Sequence, residues 1–227
     1  MADNEYERHN NDSLIAKLSA DGAVEWMKRF AQFRESGFVE GDDGAISLWG
    51  FGSYYYEGDY LIRLDAHGIV VWQKSFTSEY DVVAVTAAGD GSQVVGGSVR
   101  LTDSRRAWLA RVDAAGDFVS QRMFDSGDRW SGFSQVEATR SGFLFGGRTD
   151  TYGKGVGQDG LLVNLPASLT DRECPDLFIE TSASFASSSV DIRDGQLTSK
   201  RITPRTRLIG GLVDQWNVAN RPLCASQ

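Results

Sequence analysis

Histidine is nearly missing from this sequence: 227 residues carry 2, alongside 2 cysteines and 4 prolines. His9 stands in a polar N-terminal arm, and His67 fills a turn slot that other copies of a repeat give to Asp21 and Ala115, so neither reads as catalytic. No His/Cys cluster has zinc spacing, no Gly-x-Ser-x-Gly elbow occurs, and no glycine-rich phosphate loop leads into a helix. Catalytic, metal and cofactor residues are accordingly expected to be none. Long apolar runs are also missing; nothing approaches the roughly 18 consecutive apolar residues of a membrane span. Positive charge is short, with 23 Lys and Arg against 31 Asp and Glu, a net charge of -8. That sign repels phosphate backbones and anionic headgroups, which excludes nucleic acid and membrane insertion as the expected business of the surface.

Glycine is abundant, with 25 residues, and its placement shows a repeat. Three segments align without a gap: Lys17-Leu-Ser-Ala-Asp-Gly22-Ala-Val-Glu-Trp26-Met-Lys-Arg-Phe30, Arg63-Leu-Asp-Ala-His-Gly68-Ile-Val-Val-Trp72-Gln-Lys-Ser-Phe76, and Arg111-Val-Asp-Ala-Ala-Gly116-Asp-Phe-Val-Ser120-Gln-Arg-Met-Phe124. Each predicts a β-hairpin whose turn ends on a glycine free to take φ > 0. Trp26, Lys28 and Phe30 alternate and so share one face of the return strand. Between these hairpins lies a second strand pair, ending in Gly44-Ala-Ile-Ser-Leu-Trp-Gly50, Gly91-Ser-Gln-Val-Val-Gly-Gly97 and Gly142-Phe-Leu-Phe-Gly-Gly147. A unit is therefore four consecutive strands, A to D, with a period of about 46–51 residues, inside the range of propeller blades. The chain starts on strands C and D, has two whole units, and then A, B and C.

These units resemble bacterial β-propeller repeats with a consensus near D-x-W-L-x-K-L-D-x-x-G-x-x-x-W-x-K-x-F, distantly similar to quinoprotein-like propellers. The resemblance spans residues 12–165. It implies an all-β fold, a β-propeller-like array of four-stranded antiparallel blades, partial or four-bladed, plus a C-terminal β-segment. It implies little about activity, since one fold hosts many functions. Residues 1–11 form the polar arm and residues 166–227 a tail holding every proline and both cysteines. In the tail Leu177-Phe-Ile-Glu180, Val190-Asp-Ile-Arg193 and Leu197–Ile202 read as strands, while the serine-rich run 181–190 breaks the repeat pattern. The tail either closes a four-bladed ring or forms a small appendage, with the appendage favoured because only Gly210-Gly211 approaches the ending of strand B. Cys174 and Cys224 are the disulfide candidate, which suits an exported protein with its leader absent from this chain; a cytoplasmic location stays open.

The A–B and C–D turns are tight and alike, whereas the B–C and D–A loops vary in length and carry aromatic and charged residues. Variable loops on a rigid frame are the usual place for binding, and Tyr, Trp and Arg dominate contact hot spots. The expected contact residues are Tyr54, Tyr55, Tyr56, Tyr80, Arg129, Trp130 and Tyr152. The expected function is a non-catalytic module binding a protein or glycan, or serving an assembly. Two alternatives stand beside it: a fragment of a quinoprotein- or lyase-like propeller enzyme, and a subunit that completes a propeller by homo-oligomerisation through unpaired sheet edges.

Overall fold

Each repeat hairpin closes as its sequence dictates. In the turn after Arg63 the amide of Gly68 donates to the Asp65 carbonyl at 3.0 Å, and the Asp65 carboxylate accepts the amides of His67 and Ile69. Asp113 does the same for Ala115 and Asp117. The aspartate of the motif is thus an Asx-type cap that the turn needs whatever the protein binds. Gly22, Gly68 and Gly116 sit at φ of 85°, 76° and 87°, where a Cβ is strained.

The computed structural model describes residues 12–52, 58–124, 130–150, 157–169, 178–181, 185–187 and 190–195. Two units divide the chain, Met1–Gly195 and Gln196–Gln227, and the second lies outside the described residues. The described residues form strands only: β1 Ser13–Leu18, β2 Val24–Phe30, β3 Phe33–Glu40, β4 Ile46–Gly52, β5 Asp59–Leu64, β6 Val70–Phe76, β7 Tyr80–Ala87, β8 Gln93–Arg100, β9 Arg105–Val112, β10 Phe118–Phe124, β11 Ser131–Ala138, β12 Gly142–Thr149, β13 Asp159–Pro166, β14 Phe178–Glu180, β15 Phe185–Ser187 and β16 Ile192–Asp194. They make four antiparallel sheets, ordered β1-β2-β16, β15-β6-β5-β4-β3, β14-β10-β9-β8-β7 and β11-β12-β13. The fold is all-β, and β3–β6 and β7–β10 are the two whole four-strand units of the repeat.

The sheets stack face to face in chain order, with one apolar layer at each junction. Phe30 of the first sheet packs with Phe33, Leu48, Ile62 and Leu64 of the second. Leu61, Trp72 and Phe76 of the second meet Val85, Trp108 and Val112 of the third. Leu109 and Phe124 of the third meet Phe133, Phe145 and Leu165 of the fourth. The tryptophan of the motif bolts one sheet to the next. Trp26 Nε1 donates to the Ala66 carbonyl and Trp72 Nε1 to the Ala114 carbonyl, each at 3.0 Å. Their rings lie over Gly68 and Gly116, where an added Cβ would fall 2.7 and 2.9 Å from ring carbon. A second close approach explains the recurring glycine within strand B. Opposite Gly50, Gly97 and Gly147 strand A is bulged, and a Cβ at any of the three would run into the carbonyl of Arg34, Asp81 or Gly132.

The tail takes neither arrangement expected of it in the part the structure describes. It returns along the outer edges of the sheets in reverse order, adding β14 to β10, β15 to β6 and β16 to β2, all antiparallel. Two of the sheets consequently have five strands, not four. The register is periodic: Phe178 pairs with Phe124, Phe185 with Phe76 and Ile192 with Phe30, so one residue in seven of the tail meets the phenylalanine that closes each repeat. Gln73 clasps this strap between its second and third contacts, its Oε1 accepting the Val190 amide at 2.8 Å and its Nε2 donating to the Val190 carbonyl at 3.4 Å. Unpaired strand-D edges are sticky surfaces, and the strap covers three of them.

Candidate functional site

The two ends of the sheets differ in chemistry. At the tight-turn end an aspartate in the A–B turn pairs with the base that ends strand C. Asp43 Oδ2 meets Arg63 Nη2 at 2.7 Å, and Asp90 Oδ2 meets Arg111 Nη2 at 2.6 Å. The other carboxylate oxygen of each accepts the amide two residues on, Ala45 or Ser92. Arg111 also reaches the Ser92 hydroxyl and the Ala167 carbonyl. The Ser92 hydroxyl and amide, and then the Arg111 charge, hold the Asp90 carboxyl below the ordinary carboxylate range. In the last unit both partners change together: Ser141 stands in place of the aspartate and Asn164 in place of the arginine. Two open clefts of about 290 and 350 Å³ lie between successive turn sets, lined by Asp42, Asp43, Arg63 and Ser92 in one and by Asp90, Arg111 and Arg140 in the other. Their ion pairs are part of the turns, so this end reads as framework.

The loop end holds the expected contact residues. Tyr80 opens β7 and is half-buried; its ring packs against Trp108 with centroids 5.2 Å apart, and its hydroxyl lies 3.4 Å from the Thr181 hydroxyl on the strap. It serves the third sheet and the strap as packing, more than it offers a surface. Trp130 is half-buried just before β11, its carbonyl accepting the Asp150 amide at 3.0 Å and its ring beside Gly132. Tyr54, Tyr55, Tyr56, Arg129 and Tyr152 lie outside the described residues, as do Cys174 and Cys224.

Sequence reasoning passed over a polar cluster at this same end. Asp59 begins β5 and its carboxylate accepts the Val82 amide across the junction to the third sheet. Asp81 pairs with Arg105 and accepts the Ser98 hydroxyl at 3.1 Å. Burial pushes the Asp59 carboxyl up to about 6, against the pull of the Val82 amide and of Arg105. Comparison of copies is the signal that finds it. The equivalent residue of the first sheet is Ser13, whose hydroxyl accepts the Glu35 amide at 3.2 Å, the same inter-sheet bond made by a neutral group. Asp59 thus places a carboxylate, at the cost of its burial, where serine makes the same bond in the first sheet.

Among the described residues no group of three His, Cys, Asp or Glu side chains is placed to hold a metal ion. His67 is an exposed turn residue whose amide donates to Asp65. No family model matches the chain. No curated protein matches it either.

Proposed function

We propose that this chain is a propeller-type repeat scaffold that binds a protein or a glycan through its B–C and D–A loops. The reading rests on the contrast between the two ends. The turn end consumes its charges in Asp43–Arg63 and Asp90–Arg111, bonds that the turns themselves require. The loop end carries Trp130 on the connection before β11, and beside it the buried Asp59 and the Asp81–Arg105 pair at the ends of strands whose connections differ in length from unit to unit. The propeller reading is supported by the period of the repeat, by the sequential four-strand units and by the Trp-on-Gly bolt between successive sheets.

The test is a glycan-array and crosslinking screen with the full chain, followed by variants at the loop end. The expected result is a ligand whose affinity falls about tenfold or more in Trp130→Ala, or in the triple alanine variant at Tyr54, Tyr55 and Tyr56, with unchanged melting temperature. Full affinity in both variants rules this end out as the binding surface.

A further inference from the structure

The molecule makes one kind of sheet-to-sheet junction three times, and it ends in the two unlike halves of that junction. The strand-C residues facing the preceding sheet are Tyr60, Ile62 and Leu64 in the second sheet, Trp108, Ala110 and Val112 in the third, and Leu161, Val163 and Leu165 in the fourth. Tyr60 is packed into the first junction, and the other eight are buried. Their counterparts in the first sheet are Leu14, Ala16 and Leu18. All three are exposed, Leu14 by 52% and Leu18 by 55%. The turn glycines agree: Gly68 and Gly116 are buried beneath indole rings, whereas Gly22 is exposed, with none of the described residues within 4 Å of the point a Cβ would occupy.

The far face of the fourth sheet tells the complementary story. Residues facing the following sheet, Ile15, Leu61 and Leu109, are packed into the three junctions. Their counterpart Leu162 is 69% exposed. On strand B the buried Ser47 and Val94 correspond to the exposed Leu144. The register, Leu144 with Asn164 and Gly146 with Leu162, puts Leu144 and Leu162 diagonally adjacent on one face.

We propose that these two faces join different copies of the chain, the fourth sheet of one stacking on the first sheet of the next, head to tail. A second copy is the occupant because the surface known to fit the front of this repeat is the rear of the same repeat. Among the described residues Gly195 lies against Met27 and Leu14 at one edge of the front face and leaves Leu14 and Leu18 half-exposed, and Leu144 and Leu162 stay exposed at the rear. The indole bolt is not a requirement of such a junction: between the third and fourth sheets Ser120 holds the tryptophan's place, and the apolar layer there is complete. A head-to-tail contact is heterologous, so each chain retains both a donor face and an acceptor face. This proposal does not depend on what the loop end binds.

Light scattering and sedimentation of the full chain across a concentration series test it, with two surface variants. One carries Leu14→Asp and Leu18→Asp on the front face; the other carries Leu144→Asp and Leu162→Asp on the rear face. The wild-type mass is expected to rise above the 24.9 kDa of one chain. Each variant alone stays a monomer with a wild-type melting curve, since all four side chains are exposed. An equimolar mixture of the two forms a dimer and nothing larger, because one intact front meets one intact rear. A wild type that remains monomeric at millimolar concentration overturns the proposal, its faces being covered within the chain or left bare. So does a rear-face variant that associates like wild type, which indicates front-to-front pairing, and so does a mixture that stays monomeric.

Discussion

The indole N–H of Trp72 donates to the Ala114 carbonyl at 3.0 Å while the same ring covers Gly116, so one side chain satisfies a turn carbonyl and roofs the turn glycine of the following unit. Replacing Trp72 by Phe keeps most of the apolar contact and leaves that carbonyl without its donor, a loss of about 1–2 kcal/mol. Trp72→Ala opens a cavity as well and costs about 3–5 kcal/mol. Urea unfolding of both variants separates the two contributions.

Gly22 and Gly116 share the same backbone conformation but not the same surroundings. Gly22→Ala meets only the penalty of φ near 85°, on the order of 1 kcal/mol. Gly116→Ala meets that penalty and also a Cβ driven into the Trp72 ring. The second variant is expected to be less stable than the first by more than about 1 kcal/mol. Equal losses in the two variants refute the packing role of the ring.

The clasp of Gln73 on Val190 gives the strap a local reporter. Gln73→Ala removes both bonds, and the Val190 amide is expected to exchange with solvent deuterium about tenfold faster or more. Gln73→Glu keeps an acceptor for that amide and is expected to protect it partly. Amides in β9, whose backbone pairs with β8 and β10 and not with the strap, serve as the internal control.

Asp59 makes stability depend on pH in the unusual direction for a carboxylate. Its folded value is raised, to about 6, so between pH 4 and 6 the folded state holds a proton that the unfolded state has released. The contribution of this group is fully favourable below about pH 4 and is lost as the pH rises through 6. Asp59→Asn retains an acceptor for the Val82 amide without the buried charge. It is expected to unfold with a flatter profile over this window and to gain on the order of 2 kcal/mol at pH 7 relative to wild type. A variant whose profile parallels wild type from pH 4 to 7 sinks this assignment.

The framework was legible in the sequence because it repeats. The turn glycine, the aspartate three before it, the strand-B glycines and the tryptophan each answer to a local steric or hydrogen-bonding demand, and each demand recurs. The strap was legible in part: Leu177–Glu180 and Val190–Arg193 read as strands by their alternation and become β14 and β16, whereas β15 lies inside a serine-rich run, and the outer strand that each of the three joins is set by a distant partner and not by its own pattern. The faint signal was the spacing of Phe178, Phe185 and Ile192, which acquires meaning only beside Phe124, Phe76 and Phe30. The site was read by residue type. Tyr80 has the look of a contact residue and is half-buried, its ring against Trp108, while Asp59 looks like an ordinary solvated strand end until set against Ser13.

The reverse order of the strap also fixes a sequence of events during synthesis. Lys28 in the first sheet pairs with Asp194, 166 residues later, and β16 adds the outer strand of that sheet. A ribosome releasing this chain N-terminus first exposes β2 long before β16 exists, so the oldest sheet is the last to be finished. Proteolytic trimming runs the same film backwards: loss of β16 bares the first sheet, loss of β15 the second, and loss of β14 the third. The strap is thus a tally of how much of the chain has been made and kept.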